Sequence, residues 1–128
     1  MMKTGSCLCG GVSFELRGPL ASVIACHCNQ CRKQTGNYWA STHTADKDLA
    51  MLKNDTLAWY RASGNAQRGF CSACGSTLFW KKDASDVTSV CAGAIDGKTD
   101  LKLAGHIYVA DAGDYYEIAG GGYRLPQS

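Results

Sequence analysis

Short apolar-rich stretches separated by turn residues recur along this chain, one of them alternating with a period of two. "GVSFELRG" (residues 11–18) is the alternating stretch. Val12, Phe14 and Leu16 face one way, and Ser13, Glu15 and Arg17 the other, as in a strand buried on one side. "LASVIAC" (20–26) follows the Gly18-Pro19 turn and reads as a second strand. "NYWASTHT" (37–44) and "TLAWYRA" (56–62) are rich in aromatic and β-branched residues, which favour strands. "AQRGFC" (66–71), "STLFWKK" (76–82), "DVTSVCAGA" (86–94) and "GHIYVA" (105–110) extend the series. "NQCRKQ" (29–34) fits one helical turn, and "GAIDGKTD" (93–100) a turn with a short helical piece. No segment holds a long 3.6-residue period. The pattern predicts a mainly-β fold with little helix.

Composition agrees and narrows the classes. The 128 residues are 45% hydrophobic and 19% charged, which suits one globular domain over residues 1–128. The start "MMKTGSCLCGG" lacks the apolar core of a secretory signal, and no apolar run approaches a membrane span. A soluble, cytoplasmic protein without a membrane partner is expected. In that reducing compartment the eight cysteines point to metal rather than disulfides. The formal charge of +2 hints at nucleic acid, but it counts thiols as neutral. Deprotonating seven thiols and binding two Zn²⁺ lowers it to about −1. No nucleic-acid partner is expected on charge grounds.

The cysteines fall into two pairs and a triplet. Cys7-x-Cys9 precedes Gly10-Gly11, and Cys71-x-x-Cys74 precedes Gly75. The second is the spacing of a zinc knuckle, in which a glycine without Cβ avoids the ion. In the first, residues i and i+2 of an extended segment share a face, so both sulfurs converge. Four thiolates from Cys7, Cys9, Cys71 and Cys74 make a closed tetrahedral site. Cys26, Cys28 and Cys31 then form a set of three, the pattern of a zinc with an open position. An all-thiolate set is soft and receptive to another thiolate. The expected guest is a thiol, held ionised near neutral pH.

Blander readings compete. A fourth protein ligand, from Cys91, His27, His43 or His106, would close the triplet. Cys91 also reads as a buried thiol behaving as a small apolar residue. His27, between Cys26 and Cys28, should project from the opposite face. The histidines also read as hydrogen-bonded structural residues.

"CLCGGVSFE", "CHCNQCRKQTG", "FCSACGSTLFW", "AGAID" and "HIYV" together resemble the glutathione-dependent formaldehyde-activating enzyme family, over about residues 6–118. The resemblance implies a mainly-β zinc fold with β-tent-like sheets, shared with a guanine-nucleotide-exchange-like chaperone and the translationally controlled tumour protein. It implies a structural zinc on Cys7, Cys9, Cys71 and Cys74, and a labile zinc on Cys26, Cys28 and Cys31 beside a glutathione site. The implied activity joins glutathione and formaldehyde into S-(hydroxymethyl)glutathione, as a carbon–sulfur lyase. One branch of the family, the centromere protein V type, is associated with chromatin. This chain departs from the family where a Pro-Trp pair is common, reading Gly113-Asp114-Tyr115-Tyr116.

The expected function is therefore a zinc-dependent carbon–sulfur lyase with two Zn²⁺ per chain, the second labile. Its partners are a small thiol such as glutathione and a small electrophile. Arg32 and Lys33, beside the ligands, are candidates to meet glutathione carboxylates, or to offset thiolate charge. Tyr38, Trp39, Trp59 and Trp80 are candidates for a pocket wall, or for the core. The rival functions are a non-enzymatic zinc module binding protein or nucleic acid, and a lyase or transferase acting on another thiol adduct.

Overall fold

A computed structural model describes residues 2–128. Eleven strands and one short helix run in the order β1 (Lys3–Ser6), β2 (Val12–Leu16), β3 (Val23–Cys26), α1 (Asn29–Thr35), β4 (Trp39–Ala45), β5 (Leu49–Asn54), β6 (Leu57–Ser63), β7 (Ala66–Cys71), β8 (Thr77–Lys82), β9 (Val87–Cys91), β10 (Leu103–Ile107) and β11 (Tyr123–Arg124). Short 3₁₀ turns occupy Asp46–Asp48, Ala92–Ala94 and Val109–Asp111. The mainly-β expectation holds. All eight segments expected as strands contain one. β1, β5 and β11 were not among them.

The strands form two sheets. A three-stranded sheet has the order β1-β2-β5, and an eight-stranded sheet the order β11-β10-β3-β4-β9-β8-β7-β6. The core lies between them. Val12, Phe14 and Leu16 on β2 are fully buried and face Leu78, Phe79 and Val90 on the large sheet. Phe14 meets Phe79 edge-on at 5.1 Å between ring centroids, a favoured aromatic geometry. Cys7 and Cys71 are part of this cluster, so one sulfur group sits at the rim of the core.

The other face of the large sheet carries the chemistry. Residues paired across strands share a face. One row runs His43, Ser89, Trp80 and Arg68 across β4, β9, β8 and β7. A second pairs Cys26 with Trp39, and a third pairs Ile24, Ser41 and Cys91. Helix α1 crosses above this face. Gln30 Nε2 on α1 donates to the Ala62 carbonyl at the end of β6, 3.0 Å away, tying the helix to the far side. The space left beneath is a cleft of about 700 Å³. No helix among the described residues is long and apolar enough to cross a membrane.

Candidate metal centres and cleft

The four sulfurs of Cys7, Cys9, Cys71 and Cys74 lie within 4.8 Å of one another. Cys9 Sγ is 3.7 Å from Cys7 Sγ and 3.6 Å from Cys71 Sγ. A tetrahedral zinc with bonds of about 2.3 Å places its sulfurs about 3.8 Å apart, so the set fits that ion. Backbone N–H groups point at the sulfurs: Val12 N to Cys7 at 3.3 Å and Cys74 N to Cys71 at 3.4 Å. Thr56 Oγ1 lies 3.1 Å from Cys71 Sγ, and Ser76 Oγ 3.2 Å from Cys74 Sγ. These contacts favour thiolates. Hydrogen bonds from the Ser76 side chain and backbone pull Cys74 down to about 5. Thr56 draws Cys71 down as well. Gly10 and Gly75 both have φ of +81°. Each sits in a left-handed turn, which favours a residue without Cβ.

The sulfurs of Cys26, Cys28 and Cys31 form a second group, again within 4.8 Å of one another. Cys26 ends β3, Cys28 is the N-cap of α1, and Cys31 is buried on the helix's first turn. Cys28 Sγ accepts from the Cys31 N–H at 3.4 Å, the same turn seen at Cys71 and Cys74. No fourth Cys, His, Asp or Glu among the described residues joins this set. Cys91 shares the sheet face but sits two strands from Cys26, about 10 Å sideways. His43 lines the cleft without joining the sulfurs. His27 turns to the opposite side, as its position between two cysteines requires. It is fully buried, with Nδ1 2.8 Å from Tyr116 Oη and Nε2 3.0 Å from His106 Nδ1. Burial, and then His106, hold it below the usual histidine range.

The segment that departs from the family pattern lies behind this loop. Tyr115 donates its hydroxyl to the Gly36 carbonyl at 2.7 Å, at the C-cap of α1, while Tyr116 meets His27. None of residues 113–116 lines the cleft. Tyr116 and Tyr115 instead hold His27 and the end of α1, on either side of the triplet.

The cleft walls include Ile24, Trp39, Trp80, Arg68 and Lys82 around the three cysteines. Of the four candidate aromatics, Trp39 and Trp80 are there. Trp59 stacks on Phe79 with its outer face exposed, and Tyr38 packs against His27. Arg32 and Lys33 lie outside the lining, on the last turn of α1, where cations suit the helix dipole. Arg32 Nη2 donates to Asn29 Oδ1 at 2.7 Å.

The cation that meets the triplet is Arg68, which the sequence did not reveal. It is only 4% exposed. Its Nε donates to Gln30 Oε1 at 3.0 Å and its Nη1 to Gln34 Oε1 at 3.2 Å. Its Nη2 lies 3.6 Å from Cys31 Sγ, and the guanidinium sits 5.8 Å from the Trp39 ring centroid. "AQRGFC" shows only a polar position in a strand, and the partners come from α1, more than thirty residues away.

Comparison with known proteins fits this geometry. A fission yeast (Schizosaccharomyces pombe) protein named as an uncharacterised lyase is 23% identical over 116 residues, covering 90% of this chain and 84% of its own. The crystal structure of a Rhodobacter sphaeroides protein superposes with a TM-score of 0.66 at 23% identity, covering 80% of this chain and 98% of its own, which shows the shared fold. The sequence profile of the glutathione-dependent formaldehyde-activating enzymes matches residues 2–111. Family and relative together support a lyase-like function related to glutathione. With both cysteine groups assembled and the profile spanning most of its length, the chain belongs to the glutathione-dependent formaldehyde-activating enzyme family.

Proposed function

We propose that this protein is a zinc-dependent carbon–sulfur lyase that makes and breaks the adduct between a glutathione-like thiol and a small aldehyde such as formaldehyde. One observation carries the reading: a three-sulfur group opens on a cleft while a four-sulfur group is built into the core rim. Cys7, Cys9, Cys71 and Cys74 would hold a structural Zn²⁺, and Cys26, Cys28 and Cys31 a labile one. The second ion would supply a soft coordination position that favours an ionised sulfur.

The chain's own residues do the rest. Trp39, Trp80 and Ile24 wall the cleft and limit water at the reacting atoms. The thiol gives its proton to solvent, and its sulfur attacks the aldehyde carbon. A C–S bond forms as the C=O π bond opens, and the oxygen takes a proton from solvent. The reverse step cleaves that C–S bond. Holding both reactants in one cleft turns a bimolecular encounter into a positioned one. Lys82, in the lining, is placed to meet a substrate carboxylate. Arg32 and Lys33 would reach only a carboxylate that extends beyond the cleft.

Exchange NMR of formaldehyde with glutathione tests the reading. Micromolar zinc-loaded protein should accelerate formation of the S-hydroxymethyl adduct, and Cys28→Ser should abolish the effect. An exchange rate unchanged by wild-type protein would sink the proposal.

A further inference from the structure

Arg68 poses a problem of charge. A guanidinium that is 4% exposed normally sits on a carboxylate, because an unpaired buried charge is costly. Among the described residues Arg68 has none. Two of its arms go to neutral amides, Gln30 and Gln34, and its ring neighbour is Trp39. The anionic partner left is the sulfur group, reached by Nη2 at 3.6 Å. The two glutamines leave the charge uncancelled and aim the third arm at Cys31.

Three thiolates with one divalent ion carry a net −1. A neutral fourth ligand leaves that charge, and an anionic sulfur doubles it. Arg68 raises each total by one, so a thiolate guest ends at −1 rather than −2. We infer that Arg68 is a positioning residue that makes the three-cysteine site prefer an anionic sulfur over a neutral donor. The inference rests on the open-site reading proposed above. It differs from a carboxylate clamp, because the charge acts on the guest's sulfur and not on its distant groups.

The test uses the full chain loaded with Co²⁺, whose absorption bands respond to the fourth ligand. At one fixed pH, 2-mercaptoethanol and imidazole are titrated in turn. The first is a thiol without carboxylates, and the second a neutral donor. Arg68→Gln should weaken 2-mercaptoethanol about tenfold or more and leave imidazole nearly unchanged. Arg68→Lys, which keeps the charge, should recover much of the loss. Gln34→Glu, on the exposed side of α1, puts a carboxylate on Nη1 and should reproduce the loss even if Arg68→Gln does not fold. Equal weakening of both probes, or no change in any variant, overturns the inference. So does a loss confined to glutathione, titrated as a third probe, with 2-mercaptoethanol unaffected, the result a carboxylate clamp would give. Failure of the wild-type protein to bind any thiol would overturn the open-site reading itself, and this inference with it.

Discussion

Cys28 does two jobs with one sulfur. It caps α1 by taking the N–H of Cys31, and it faces the cleft. Without metal it also holds the negative charge of its group. Hydrogen bonds from Cys26 and then Cys31, aided by the Cys31 N–H and Arg68, pull its thiol down to about 2 from 9.0. Cys26 goes the other way, because hydrogen bonding to Cys28 favours its protonated form. Cys31 is pulled down by Cys26, but Cys28 and burial outweigh this and push it up. Cys28 is therefore ionised throughout the neutral range, while its two neighbours keep their protons. Loading this site near pH 7 should release about two protons per ion, not three. Affinity should fall as pH falls, with a slope of about two in log K per pH unit. Proton release measured with an indicator dye during titration with Zn²⁺ checks this.

Elements were legible in the sequence where one face is buried and the other is not. β2 is the best example, with Val12, Phe14 and Leu16 buried and the residues between them half-exposed. β1 gives no such pattern, since "KTGS" offers no apolar side chain to alternate. It is held as a strand by pairing with β2, with Gly5 opposite Phe14. β5 is mostly exposed at a sheet edge, so burial imposes no period on "LAMLKN". β11 is two residues long and exists by parallel pairing with β10. Gly5 shows what the missed strand needs. A Cβ there would stand 2.4 Å from the Phe14 ring and 3.0 Å from the Ala94 carbonyl oxygen. Gly5→Ala should destabilise the fold by about 1–3 kcal/mol through overpacking. Urea unfolding of the metal-loaded protein, compared with wild type, measures it.

In the whole molecule the two sulfur groups differ in how much of the chain they span. One joins the N-terminal strands to the β7–β8 turn across the core rim, so its ion would close a long loop of chain. The other is local, spanning only residues 26–31. Cys71→Ser should therefore cost folding, by several kcal/mol. Cys26→Ser should stay folded and lose one equivalent of metal. Circular dichroism with metal analysis separates the two, and mild chelation of wild type should remove one ion before any unfolding. Equal unfolding by both variants would contradict the division. The cysteine groupings were legible because the spacing within each pair and within the triplet is local and follows turn geometry. The cleft was not. It depends on α1 crossing a sheet whose neighbouring strands are far apart in sequence, and on Arg68 meeting glutamines that no local pattern links to it.

The loop Cys26-His27-Cys28 serves two sides of the sheet at once. Its sulfurs open on the cleft, and its imidazole is held among Tyr116 and His106 behind. In extended backbone a shift of one residue exchanges the two sides. A single insertion or deletion just before Cys26 would send an imidazole into the cleft and bury a thiol among aromatic rings. Substitutions around the loop change its strength by degrees, whereas a change in its length exchanges its chemistry. An engineer grafting this centre onto another sheet would have to copy the residue count first and the residue types second.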